Sequence, residues 1–306
     1  MNVSIISKDY ALSRFVEGAR LAERLGFFGY GGGDHVAFGG PMPDILTLLA
    51  AVAAVTTDLR LKTGVYVLPW RPPVQIASQI ATVDRISGGR MVFGIGVGET
   101  EDEFRAFGVP MNERGRRTDE TIDCLRLLWS GERVSYQGRH ISLDNVRLQL
   151  TPVQAPLPIY VGGRSDVALR RAAVRGDGYT AIWCSPRRLV EAQEKIAALA
   201  TEAGRSPADV HVGMQVWACV AESREAGRDV IARDMSEFYG IPFDRFERYA
   251  AYGTADDVAE FLAPYLETGI DHLNLVPIDP DPLAQIAKLA GVARRLGQLA
   301  ASRSGS

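Results

Sequence analysis

The stretch ATVDRISGGRMVFGIGVGE, residues 81–99, carries the fold in miniature. Its first half has helical period, Ser87-Gly88-Gly89 reverse the chain, Met91 to Gly96 form an apolar run of strand length, and a glycine-bearing turn closes the unit. An apolar run without alternation is buried on both faces, as a parallel strand between other layers must be. Outward from this unit the same rhythm recurs. Strand-like runs fall at Val3–Ile6, Phe27–Gly31, Arg60–Tyr66, Met91–Gly96, Ile159–Gly162, Tyr179–Trp183, His211–Val220 and His272–Val276, each followed by a helical segment. Eight such units in 306 residues predict an α/β fold, a (β/α)8 TIM barrel, built as a single domain over residues 1–306. A doubly wound open sheet is the structural alternative.

The helix signals agree with this reading. Apolar Leu12, Phe15, Val16, Ala19, Ala22 and Leu25 recur three and four residues apart, with Gly26 where a C-cap belongs. Asp44 and Ser185-Pro186 supply N-cap chemistry, and Pro72-Pro73 open another helix. Insertions are expected after barrel strands four and seven. The first runs from Val97 to Pro158 and should hold a helix at Thr118–Trp129 and a hairpin near Ser135–Asp144. The second, Ala232 to Thr254, carries Phe238, Tyr239, Phe243, Phe246, Tyr249 and Tyr252, which either glue an extra helix to the barrel or wall a pocket with Trp70, Trp183 and Trp217. The end, Ala300 to Ser306, reads as a small, polar, frayed tail.

Composition narrows the function. Thirty-four basic and 37 acidic side chains leave a net charge of −3, so no polyanion-binding surface is implied and nucleic acid is not an expected partner. Cys124, Cys184 and Cys219 are too scattered for a disulfide framework or a zinc cluster, and His35, His140, His211 and His272 show no ligand spacing, so no metal is expected. The apolar run Ile45–Thr57 spans 13 residues, short of a membrane helix, and the first residues lack signal-peptide character. A cytoplasmic setting is the expectation.

Barrel active sites form where the strands end. Behind strand two stand Gly31, Gly32 and Gly33, then Asp34 and His35; behind strand three, Gly64-Val65; behind strand four, Gly96, Gly98 and Glu99; behind strand five, Gly162, Gly163, Arg164 and Ser165 running into a helix. Glycines at a helix start, with Arg164 and the Ser165 hydroxyl, make an anion cradle suited to phosphate, although a plain helix start would look the same. His35 is a candidate catalyst or substrate contact as well as a candidate structural histidine. Asp34 can orient it only if the pair lies on a turn, because neighbours on a strand point oppositely. GIGVGE lacks the last glycine of a dinucleotide fingerprint, and no G-x-S-x-G supports a serine hydrolase.

Taken together, RLAERLGFFGYGGGDHV (20–36), LKTGVYVLPWRPP (61–73), the opening stretch, ERGRRTDETIDCLRLLW (113–129), Pro152-Val153-Gln154, IYVGGRS (159–165) and RAAVRGDGY (171–179) resemble the bacterial luciferase-like monooxygenase and oxidoreductase superfamily. The resemblance is nearest to its F420-dependent branch. It implies a flavin-like ring in the barrel mouth, with the phosphate at the loops after strands four and five. Gly64-Val65 resembles the family's non-prolyl cis peptide, whose bulge props the ring. Asp34 and His35 match the ring-edge and substrate-side pair, Gly96, Gly98 and Glu99 the turn beside the ring, and Gly162, Gly163, Arg164 and Ser165 the phosphate cradle. The implied activity is hydride transfer between F420 and a small organic substrate, with His35 moving the accompanying proton and Asp34 and Glu99 as further catalytic candidates. The alternatives are an FMN-dependent monooxygenase fed by a separate flavin reductase, and a flavin-binding protein without turnover. A sugar-phosphate lyase or isomerase would need a lysine or metal carboxylates at strand ends, and Lys62 stands ahead of the Thr63-Gly64 turn. A homodimer is expected from the family.

Overall fold

In the computed structural model, residues 1–9, 11–37 and 42–304 are described, with side chains as far as 298. Eight parallel strands close on themselves: β1 (Asn2–Ser7), β2 (Gly29–Gly32), β3 (Arg60–Thr63), β5 (Met91–Gly96), β8 (Ile159–Gly162), β9 (Gly178–Ile182), β10 (His211–Val220) and β12 (His272–Pro277). The register Asn2↔His272 and Ser4↔Gly29 sets β1 between β12 and β2, and Gly213↔Thr180 pairs β10 with β9 to shut the cylinder. This is the eight-stranded barrel read from the sequence, not the open sheet. Outward side chains Ile5, Leu61, Phe93, Ile159, Ala181, Val216 and Leu275 are fully buried beneath the helix ring. Each large one removed from water contributes roughly 1.5–3 kcal/mol, which is why these strands carry no solvent-facing alternation.

The helices are α1 (Leu12–Arg24), α2 (Ile45–Ala53), α3 (Pro73–Ile86), α4 (Glu101–Ala106), α5 (Arg114–Leu128), α6 (Asp166–Arg175), α7 (Pro186–Glu202), α8 (Arg224–Tyr239), α9 (Ala255–Leu266) and α10 (Pro282–Ser304). Asp44 and Ser185 cap α2 and α7 through their side chains, at the amides of Thr47 and Arg188. The insertion after β5 holds α4, α5 and the antiparallel hairpin β6 (Val134–Gln137) with β7 (Ser142–Val146). The insertion after β10 ends in β11 (Ala250–Gly253), which adds to the protruding end of β10 through Trp217↔Ala250.

Two expectations change. The run Arg60–Tyr66 is not one strand. It breaks after Thr63 at Gly64–Val65, a cis peptide, and the chain rejoins the sheet at β4 (Tyr66–Val67), opposite Ile95. The expected frayed tail is helical as far as Ser304, since α10 runs on into it; residues 305 and 306 lie outside the described residues. No described helix is long and apolar enough to cross a membrane.

Candidate active site

The strand ends enclose a cavity of about 230 Å³ at one mouth of the barrel. Its wall includes Asp34, His35, Gly64, Val65, Gly96, Gly98, Glu99, Gly162 and Gly163, so turns separated by up to 130 residues in the chain meet around one space. Arg164 and Ser165 do not border it. Arg164 is exposed, and its guanidinium lies 5.1 Å from the ring centre of Trp183, over a neighbouring cleft. Ser165 caps α6, its hydroxyl oxygen accepting from the Ala168 amide at 3.3 Å.

Close packing explains several glycines. A Cβ on Gly96 would lie 2.6 Å from Val65 Cγ2, and one on Gly162 would lie 2.9 Å from Val65 Cγ1. The Val65 side chain therefore occupies the space that these two residues leave empty, and projects the bulge into the mouth. The bulge is held from below, where the Gly64 amide donates to Gly32 O at 2.8 Å and the Asp34 amide donates to Val65 O at 3.1 Å. Gly163 has φ of +133°, a backbone that side chains rarely adopt, and its carbonyl accepts the Tyr179 hydroxyl at 2.7 Å.

Asp34 and His35 do not act as a pair. The buried Asp34 carboxylate accepts both Arg71 Nη1 and Nη2, at 2.7 and 2.8 Å, and the Val67 amide at 3.0 Å. It fastens the segment behind the bulge. The partner of His35 is Glu103, on α4, whose Oε2 lies 2.9 Å from His35 Nδ1. Oε1 of the same carboxylate accepts the amides of Val36 and Ala37, at 2.7 and 3.2 Å. Burial alone would raise the Glu103 carboxyl, but these hydrogen bonds outweigh it and hold it below the ordinary carboxylate range. An ionised carboxylate only accepts, so Nδ1 carries the hydrogen, and in the neutral ring Nε2 is the basic nitrogen. The His35 side chain is 23% exposed and that of Glu103 1%, a half-open imidazole on a buried anchor. Glu99 stands at the exposed rim.

The far wall is aromatic. Trp183 packs against Trp217 (5.8 Å between centroids), Tyr239 (5.0 Å) and Phe246 (5.8 Å). Phe238, Tyr239, Trp183 and Trp217 border the cavity, while Phe243 and Phe246 are buried behind them, so the insertion both walls the mouth and glues itself to the barrel. Trp70 is no part of this wall; it stacks on Phe107, 5.0 Å away, outside the barrel. The floor is polar: Lys62, Thr180, Gln215 and Asn274 line it.

Sequence reasoning missed Glu103, Arg71 and the floor. Glu103 left one signal, an acid directly before Phe104 in an otherwise solvent-facing run Glu101-Asp102-Glu103, where a buried neighbour argues for a buried carboxylate. The residues fit a planar ring with a phosphate. Glycines leave the walls open to backbone approach, Val65 offers an apolar prop, and the chain turns into α6 beside Gly163.

Comparison with known proteins agrees with this geometry. An uncharacterized protein of Mycobacterium tuberculosis is 37% identical over 175 residues, which is 57% of this chain and 60% of the relative. Among solved structures, an F420-dependent secondary alcohol dehydrogenase with an F420–acetone adduct superposes with a TM-score of 0.85 at 22% identity, covering 95% of this chain and 97% of that one. A monooxygenase from Streptomyces bottropensis superposes with a TM-score of 0.80 at 27% identity, covering 95% and 98%. The family model described as luciferase-like monooxygenase matches residues 3–247. This chain, with its glycine-walled barrel mouth and cis Gly64–Val65 peptide, belongs to the luciferase-like monooxygenase family.

Proposed function

We propose that the protein is an oxidoreductase that transfers a hydride between coenzyme F420 and a small organic substrate. The observation that carries the reading is the His35–Glu103 dyad opening onto a glycine-walled cavity beside the Val65 bulge. When bound, the coenzyme supplies the hydride acceptor. Val65, Gly96, Gly98 and Gly162 hold its ring, and the Gly163 backbone beside the start of α6 holds its phosphate, while Arg164 and Ser165 stand outside the cavity. His35 Nε2 takes the substrate proton that must leave as hydride departs, and Glu103 stabilises the resulting imidazolium through Nδ1. Glu99, at the rim, is placed to pass a proton to solvent. The aromatic wall excludes water and favours an apolar or aromatic substrate. The protein acts as a homodimer in this reading.

A second reading is an FMN-dependent monooxygenase supplied by a separate reductase, and the likeness to the Streptomyces monooxygenase favours its oxygenation chemistry. Titration of the protein with F420 and with FMN, followed by turnover with and without oxygen, separates the readings. Tighter binding of F420 and oxygen-independent bleaching of its visible absorbance by an alcohol support the first. Oxygen-dependent turnover with reduced FMN supports the second. Binding without turnover of any kind would leave a flavin-binding protein.

A further inference from the structure

Lys62 lies inside the barrel, 4% exposed, where it borders the floor of the mouth cavity. Its Nζ donates to Asn274 Oδ1 at 2.7 Å and approaches Ser4 Oγ at 3.5 Å. Both partners are neutral. Its stem has room because β2 carries glycine beside it: a Cβ on Gly29 would sit 3.1 Å from Lys62 Cδ. Among the described residues Lys62 forms no ion pair, although buried cations are ordinarily matched by a carboxylate. The carboxylates on the cavity are Asp34, given to Arg71, and Glu99, out at the rim. Beneath the lysine, the base of the barrel holds Asp271, which accepts the Val212 amide.

The other titratable groups facing it add no negative charge. His272 is held neutral, chiefly by burial and further by the charge of Lys62 itself, and hydrogen-bonds Thr180 Oγ1 at 2.9 Å. Tyr160 stays protonated, its phenol pushed up to about 12 by burial. A lysine is an expensive residue to leave here without a function, because a methionine of similar length would fill the same space without a charge to desolvate.

We infer that Lys62 is the counter-charge for a negatively charged ligand edge at the cavity floor, and that it favours the reduced, anionic state of a bound flavin-type ring over the oxidised one. The inference rests on the cofactor reading above. Reduction of a ring that is neutral when oxidised, as that of FMN is, by two electrons and one proton leaves a net negative charge on it, and one further proton from solvent converts the Lys62 amine to the ammonium that matches it. By linkage, the anion and that proton favour each other's binding.

Oxidised and dithionite-reduced FMN and F420 are titrated anaerobically at about pH 8 into the wild-type chain, Lys62→Met and Lys62→Gln, by calorimetry in two buffers of different ionisation heat. Burial lowers the free amine to about 7, so it is mostly neutral at the start. The wild type should take up close to one proton on binding reduced coenzyme. Both variants should bind oxidised FMN as the wild type does, take up no proton, and weaken toward reduced FMN about tenfold, a fall of about 30 mV in the bound two-electron potential, whereas F420, whose oxidised ring is already an anion at this pH, should weaken in both states. Oxidised-FMN binding reports folding of each variant, and Lys62→Gln keeps a polar floor if Lys62→Met does not fold. Equal reduced-to-oxidised affinity ratios for FMN and equal proton uptake in all three proteins would remove the role of Lys62 while leaving the cofactor reading intact. A wild type that binds neither coenzyme would remove both.

Discussion

The rim and the floor of the cavity each present a nitrogen base, and they are supported differently. At the rim, His35 has its own carboxylate, and Glu103 is in turn fixed by two backbone amides. At the floor, Lys62 has only the amide oxygen of Asn274 and a hydroxyl. The difference teaches where the protein has completed its own electrostatics and where it leaves them to a ligand. A proton-transfer group must hold its geometry whether or not anything is bound, so it is pre-organised. A counter-charge is satisfied only when the ligand arrives, and until then its burial is a cost to the fold.

The largest effect should come from undoing the finished rim. Asp34→Ala strands the Arg71 guanidinium and the Val67 amide behind the bulge, and denaturant unfolding should show a loss of about 3–5 kcal/mol. Gly96→Ala tests the same wall by volume: its methyl meets Val65 Cγ2 at 2.6 Å, and about 1–3 kcal/mol should be lost. A Gly96→Ala protein of wild-type stability would contradict the packing of Val65 described above.

Glu103→Gln sharpens the comparison by giving the rim the neutral kind of partner that the floor has. An acceptor remains for the amides of Val36 and Ala37, so stability should fall by only about 1 kcal/mol near neutral pH. Turnover should fall about 100-fold with coenzyme affinity nearly unchanged, because the imidazolium loses its carboxylate. The sign of the pH effect follows from the lowered Glu103 carboxyl: its stabilising contribution is present above the ordinary Glu value of about 4.3 and fades as pH drops below it. The acid limb of the stability curve should therefore flatten in Glu103→Gln.

Lys62 makes stability rise with pH as well, but in a higher window and by relief of a cost rather than by a stabilising contribution. Its folded value of about 7 lies below an unfolded lysine's 10.4 or so, so the unfolded chain binds more protons in that interval. The cost of the buried amine is full below about pH 7 and disappears as pH rises toward 10. Wild type should gain on Lys62→Met in urea unfolding across that window, with the variant equal or more stable at neutral pH. The smallest effect belongs to a pair outside both regions: removing the exposed Arg105–Asp102 contact by Arg105→Ala should change stability by at most about 0.5 kcal/mol.

The barrel was legible because its signals are local. A run such as Met91–Gly96 and a turn such as Ser87-Gly88-Gly89 report their own structure within a few residues. The cluster of glycine turns followed from the rule that a barrel's strand ends share one face. The partners within the site were not legible. Glu103 is 68 residues from His35 and Asn274 is 212 from Lys62, and both contacts depend on how α4 folds over the rim and how β12 closes against β1. Asp34 misled through adjacency: it follows the strand beside His35, yet turns inward to Arg71 while the imidazole faces α4. The break at Gly64–Val65 has no signature in hydrophobic pattern, and it entered only through family resemblance.

The claim on which the rest depends is that this cavity takes a planar redox coenzyme whose phosphate lies at the start of α6. The most direct measurement is saturation binding of F420 and FMN, followed by absorbance and fluorescence, to the wild-type chain, His35→Ala and Gly163→Asp. The expected result is one coenzyme per chain with F420 the tighter, retained by His35→Ala and lost from a folded Gly163→Asp, whose carboxylate would repel the phosphate. Failure of either coenzyme to saturate the wild type, or undiminished affinity in Gly163→Asp, would contradict it.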